Sequence, residues 1–144
     1  MGKIVYSYYC LDLIHIGHLL MMKNAKEFAG EDGKLIVGIL TDEAVMEKKQ
    51  RPSISFDDRI ELAKSIKYID VVVPQDTYSP IPNVLAINPD ILMESSSHPL
   101  KAIKDNREAM ESIGGRVIVL PYYPNKSSTK IKEKIIKEKR NEKN

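Results

Sequence analysis

The apolar run from Lys3 to Tyr9 leads directly into Asp12-Leu13-Ile14-His15-Ile16-Gly17-His18, which opens a helical pattern. In an open α/β sheet, such a strand-to-helix junction is where ligands collect. Free backbone N–H groups and the helix dipole at that point favour anions. His15 and His18, three residues apart, would face one ligand, and Gly17 between them lets the backbone pass close to a phosphate. Each imidazole can donate a hydrogen bond and, when protonated, supply positive charge. The arrangement suits a nucleoside triphosphate. Two other uses of the pair stay open on these residues alone: ordinary surface polarity, and half of a metal site. Cys10, Asp12 and His98 are the remaining ligand candidates for the latter, with no second cluster to close it.

Short β-rich runs alternate with helical patterns along the chain, the signature of a parallel sheet covered on both faces. The expected strands are Ile4 to Tyr9, Leu35 to Leu40, Val71 to Pro74, Ile91 to Glu94 and Arg116 to Leu120. Helices are expected from Gly17 to Phe28, from Glu43 to Lys48 with Asp42 as N-cap, from Ser55 as cap to near Lys67, from Pro99 to Ile113, and from near Ser128. The two prolines of Tyr78 to Asn83 mark a loop. The pattern predicts an α/β fold in a single domain: a doubly wound, five-stranded parallel sheet over residues 1–136, then a polar tail over 137–144.

With 144 residues and 42% hydrophobic content, one domain can bury a core without a second. The 22 basic and 20 acidic side chains nearly cancel, and much of the excess lies in the Lys/Glu run from Lys130 to Lys143, with Ile131, Ile135 and Ile136 on one face. That run reads as a solvated terminal helix, and no nucleic-acid role is assigned to it. A single cysteine excludes an internal disulfide. Neither a signal-peptide core nor an apolar stretch of membrane-spanning length is present, so no membrane partner and a cytoplasmic location are expected.

Two further groups of residues suit polyphosphate. Lys48, Lys49, Arg51 and Arg59 crowd one segment, where a mobile basic loop could close on phosphates, although a solvated charge run has the same composition. Asn125-Lys126-Ser127-Ser128-Thr129 precedes the last helical pattern, and its hydroxyls can cap that helix or hold a phosphate.

Together, Asp12 to His18, Ser55-Phe56-Asp57-Asp58-Arg59 and Ser127-Ser128-Thr129-Lys130-Ile131 resemble three motifs of the HxGH nucleotidyltransferase superfamily, in its cytidylyltransferase branch, over about Ile4 to Ile136. The resemblance is nearest to glycerol-3-phosphate cytidylyltransferases and phosphonate-associated cytidylyltransferase domains. Ile39-Leu40-Thr41-Asp42, Ile69 to Gln75 and Pro121-Tyr122 lean toward the latter. The resemblance implies a Rossmann-like fold, a homodimer, and transfer of a cytidylyl group from CTP to a small phosphate or phosphonate monoester with release of pyrophosphate. Mg²⁺ would accompany the triphosphate, held by phosphate oxygens and water, without a dedicated protein metal site. By the same resemblance, His15, His18 and Lys49 carry the transfer. Tyr9, Cys10, Leu11, Gly17, Lys48, Ser127, Ser128 and Thr129 contact the nucleotide, Lys67 and Arg59 contact the acceptor, and Asp12 holds backbone N–H groups of the turn.

Three departures from the family pattern stand out. Tyr9 occupies a glycine position, Ser95-Ser96-Ser97-His98 replaces an acidic Gly-Asp-Asp-Trp segment, and Tyr122 to Lys126 replaces a basic lead-in. Loss of the acids points to a neutral or anionic acceptor tail in place of a cationic amine. Two alternatives share the fold: an adenylyltransferase using ATP and a non-catalytic nucleotide-binding module.

Overall fold

Five stretches rich in Val, Ile, Leu and Tyr form strands, as β-branched and aromatic residues favour a pleated, buried surface. The computed structural model describes residues 2–121 and 133–139. Its strands are β1 (Ile4–Tyr9), β2 (Lys34–Leu40), β3 (Val71–Gln75), β4 (Ile91–Ser95) and β5 (Arg116–Leu120). The helices between them are α1 (Ile16–Ala29), α2 (Asp42–Met46), α3 (Phe56–Lys64), α4 (Ile81–Ile87) and α5 (Leu100–Ser112). The sheet order is β3-β2-β1-β4-β5 and every pairing is parallel. This is the Rossmann-like α/β fold expected from the sequence.

Side-chain alternation assigns the two faces. Val5, Leu35, Val37, Ile39, Ile91 and Met93 pack with Met22, Ala25 and Ala29 of α1 and Ala63 of α3. Tyr6 and Leu92 point the other way, onto Val84 of α4 and Met110 of α5. Each fully buried aliphatic side chain contributes about 1.5–3 kcal/mol. The strand order reverses between β1 and β4, the position where an open sheet leaves a crevice at its carboxyl edge. The ladder there is short. β1 pairs with β2 from Ile4↔Lys34 to Tyr9↔Ile39, but with β4 only at Val5↔Ile91 and Tyr6↔Leu92, so the two strands part above Tyr6.

The structure corrects several boundaries. Asp42 is the first residue of α2, and the cap is Thr41, whose Oγ1 accepts the Ala44 N–H at 3.2 Å. α2 ends at Met46, so Lys48 and Lys49 lie in the following loop. Ser55 caps α3 as expected, but the helix stops at Lys64, short of Lys67. The segment expected to be a loop holds the start of α4: Pro80 is its N-cap and Pro82 lies in its first turn, where a missing N–H costs nothing. Asn88 closes α4 in the left-handed conformation, φ 53°. The start of the last helix falls outside the described residues; residues 133–139 are helical and exposed.

Candidate active site

α1 begins with an unusual cap. His15 is extended, and its Nδ1 accepts the Gly17 N–H at 3.0 Å, while the His18 Nδ1 accepts the His15 N–H at 3.2 Å. This is a reciprocal capping box made from two imidazoles, satisfying two of the donors that a helix start leaves free. It also decides the tautomer. An Nδ1 that accepts has no proton, so each ring carries its hydrogen on Nε2 and presents that N–H outward.

The rings stack with centroids 3.9 Å apart. Burial, with a smaller contribution from His15, pushes the His18 pKa down to about 3, and burial lowers that of His15. At neutral pH the pair therefore offers two aimed N–H donors. The positive charge expected from protonated imidazoles is not part of this site, because two stacked, partly desolvated rings disfavour it. Tyr9 meets His18 edge-on at 5.9 Å, and its hydroxyl accepts a hydrogen bond from Ser7 Oγ at 2.9 Å. The tyrosine at the glycine position thus serves as the wall that holds His18. Burial pushes its hydroxyl pKa up to about 12.

The turn between β1 and α1 is held from several sides. Leu11 adopts a positive φ of 58° with its side chain fully buried, so only its backbone faces the ligand side. Asp12 Oδ1 accepts the Ile54 N–H at 2.9 Å, which fastens the turn to the loop before α3. Burial raises the Cys10 thiol pKa, which disfavours the thiolate. Arg59 does not reach the cavity as an acceptor contact. It is fully buried, and its guanidinium donates to the carbonyls of Ile54 (3.1 Å), Cys10 (2.8 Å) and Leu40 (2.7 Å) and to Asp42 Oδ1 (2.8 Å). One side chain thereby ties together the end of β1, the junction between β2 and α2, and the segment before α3.

These elements surround a cavity of about 730 Å³ at the carboxyl edge of the sheet, lined among others by Tyr9, Cys10, His15, Gly17, His18 and Lys49. The basic loop covers one side through Lys49, Gln50 and Arg51. Lys48 does not line the cavity itself; its ammonium lies 5.8 Å from the ring centroid of Tyr78, which does. Lys67 is not brought to the cavity either. It lines a separate cleft against Ile16, Leu19 and Lys23 of α1, over the Tyr68 ring at 5.3 Å. Ser127, Ser128 and Thr129 lie outside the described residues.

The opposite side of the cavity carries a group that sequence reasoning missed. Glu94, 1% exposed, accepts from Tyr8 Oη (2.7 Å) and Asn106 Nδ2 (2.7 Å) on one oxygen and from His98 Nδ1 (2.5 Å) on the other. Burial, then the Glu94 charge, pushes the Tyr8 hydroxyl pKa upward. The available signal was a glutamate inside the otherwise apolar run Ile91 to Met93, four residues before a histidine.

The cytidylyltransferase-like family model matches residues 10–134. Bifunctional protein HldE of Citrifermentans bemidjiense is 32% identical over 136 residues, covering 93% of this chain and 27% of that protein. Its counterpart in Geobacter sulfurreducens is 30% identical over 137 residues, covering 94% and 27%. The chain thus spans about a quarter of the length of these relatives. A lipopolysaccharide core biosynthesis protein from Thermoplasma volcanium shares the fold with TM-score 0.71 at 17% identity, covering 85% of this chain and 98% of that one. Thermotoga maritima TmcAL, bound with alpha-thio ATP, superposes with TM-score 0.66 at 13% identity over 96% and 51% of the respective chains. No helix among the described residues is long and apolar enough to cross a membrane. With a family model matched over most of its length and a histidine-capped helix at the sheet's reversal point, this chain belongs to the cytidylyltransferase-like family of nucleotidyltransferases.

Proposed function

We propose that the chain transfers a cytidylyl group from CTP to a small phosphonate or phosphate monoester and releases pyrophosphate. The observation that carries this reading is the imidazole capping box, which fixes two Nε2–H donors and the free N–H groups of α1 on one side of the cavity. In an in-line displacement, the acceptor oxygen attacks the α-phosphorus as pyrophosphate leaves opposite, without a covalent enzyme intermediate. Catalysis then consists of positioning and of stabilising charge on the transferring group. His15 and His18 donate to phosphate oxygens as that charge develops. Lys49 supplies a mobile cation from the loop, and Gly17 leaves room for close approach. Ser127, Ser128 and Thr129 complete the nucleotide contacts.

Mg²⁺ belongs to the proposal as the triphosphate's companion. Phosphate oxygens and water would supply most of its ligands, as Mg²⁺ keeps several waters beside a triphosphate. The test is pyrophosphate release with Mg²⁺, crossing CTP, ATP, GTP and UTP with phosphonate and phosphate monoesters. Release with CTP and one such acceptor is the expected result. Release only with ATP overturns the cytidylyl assignment in favour of adenylyl transfer, and nucleotide binding with no release for any acceptor overturns catalysis.

A further inference from the structure

Two kinds of histidine face the cavity. The Nδ1 atoms of His15 and His18 accept from backbone N–H groups, whereas the Nδ1 of His98 lies 2.5 Å from a buried carboxylate oxygen of Glu94 and therefore donates. With Nδ1 turned inward, Nε2 is the open polar atom of the His98 ring, and it has no partner among the described residues. The ring lines the cavity, with 28% of its side chain exposed. Beside it stand Ser95 and Ser97, whose hydroxyls bond each other at 2.8 Å, and the Tyr8 ring, with its centroid 5.7 Å from that of His98.

We propose that His98, held in place by Glu94, reads the far end of the acceptor and selects a tail bearing an uncharged hydroxyl. This rests on the transfer reaction proposed above and adds the substrate class. With its Nδ1 hydrogen given to Glu94, the neutral ring presents a lone pair at Nε2, and a hydroxyl can donate to it. Charged tails fit this wall poorly. Both oxygens of Glu94 are occupied by Tyr8, Asn106 and His98, and the residue is 1% exposed, so no open carboxylate from it is left for an ammonium. A carboxylate tail has no hydrogen to give that lone pair and would approach the buried Glu94 charge, and the neighbouring Ser95, Ser97 and Tyr8 carry no cation to offset it. Burying a charged group without a counter-charge is costly, while burying a hydroxyl needs only a hydrogen-bond partner. The cationic side chains that line the cavity, Lys49 and Arg51, come from the basic loop after α2, where the phosphates are proposed to lie.

The experiment compares four phosphonates with chains of matched length that end in hydroxyl, methyl, ammonium or carboxylate. Binding is measured by calorimetry in the presence of CTP and Mg²⁺ under conditions without turnover, and pyrophosphate release is measured in parallel. The hydroxyl compound is expected to bind the wild-type protein about tenfold or more tighter than the other three, the worth of one good hydrogen bond in a partly desolvated site. His98→Leu should remove that gap without changing CTP affinity. His98→Gln, which keeps a donor and an acceptor, should restore part of it.

Equal affinities for the hydroxyl and methyl compounds, a preference for either charged tail, or a gap that survives His98→Leu would overturn the proposal. A His98→Leu protein that loses CTP affinity in step with acceptor affinity would also overturn it, because His98 would then be structural. The two readings fail separately. A hydroxyl preference in binding without pyrophosphate release sinks the transfer reaction and leaves the tail site standing, while release without tail preference does the reverse.

Discussion

Replacing Arg59 with methionine keeps most of the stem volume and removes the guanidinium that holds three chain segments. In the folded protein this leaves the carbonyls of Ile54, Cys10 and Leu40 and the Asp42 carboxylate without their donor. Breaking a buried ion pair by deleting one partner costs about 3–5 kcal/mol. The Asp42 side chain keeps 19% exposure and has Arg51 at 3.4 Å as a weak second partner, so the lower end, about 3 kcal/mol, is appropriate. The Leu40 carbonyl lies in a buried strand end and adds about 1–2 kcal/mol for an unmet acceptor, whereas the Cys10 carbonyl borders the cavity, where water can replace its donor. The sum, about 4–5 kcal/mol, corresponds to a fall in Tm on the order of 12 °C for a domain of this size. Urea unfolding followed by circular dichroism gives the free energy, and initial rates at saturating co-substrate give both KM values. Because the Cys10 and Ile54 segments loosen together, nucleotide and acceptor KM should rise together. A variant within about 1 kcal/mol of wild type whose acceptor KM alone rises would refute this reasoning. Arg59 would then be the acceptor contact that the sequence resemblance implies.

His18 makes stability depend on acid in a defined window. Its folded pKa lies near 3 against an ordinary value of 6.5, so below about pH 6.5 the unfolded chain binds a proton that the folded chain does not, and stability falls with decreasing pH down to about 3. His18→Gln lacks that contribution, so wild type's stability relative to the variant should decline on acidification by at most about 1.4 kcal/mol per pH unit; parallel stability curves between pH 6.5 and 4 would contradict the buried neutral ring. Gly38 faces the Tyr6 hydroxyl, and a Cβ there would collide with it and crowd Gln75 Oε1 at 3.1 Å. Gly38→Ala should therefore displace the buried Tyr6–Gln75 hydrogen bond and lower stability by about 2–3 kcal/mol in denaturant titration, and a loss below about 0.5 kcal/mol would show that the ring yields without cost.

What the sequence made legible follows from which signals are local. The strands are read to within a residue at most ends, because a β-branched apolar run bounded by Gly, Pro or Asp has one plausible state in an alternating chain. α4 was hidden by its own prolines, which mark a loop in the abstract and a first helical turn here. Arg59 was read as an acceptor contact because it stands among the cations of a basic segment. Yet it stands one turn before Ala63, on the inward face of α3, and that i, i+4 relation was the available clue. Lys67 was misplaced differently: the helix was expected to reach it, but α3 stops at Lys64 and Lys67 lines a separate cleft against α1.

The chemistry of the histidines needed hydrogen bonds that no spacing rule displays. His15 and His18 stand at the N-cap and N3 spacing of a capping box, a pattern ordinarily recognised by a hydroxyl and a carboxamide or carboxylate. Once imidazoles take those places, the bonds that start the helix also choose the tautomer, and burial of the rings disfavours their charge. Glu94 does the opposite for His98 across the cavity by placing the proton on Nδ1. The three histidines of one chain are thus set for different work by what their inner nitrogen meets: backbone N–H groups at the helix start, where a phosphate is expected, and a buried carboxylate on the wall where the acceptor's tail is proposed to lie.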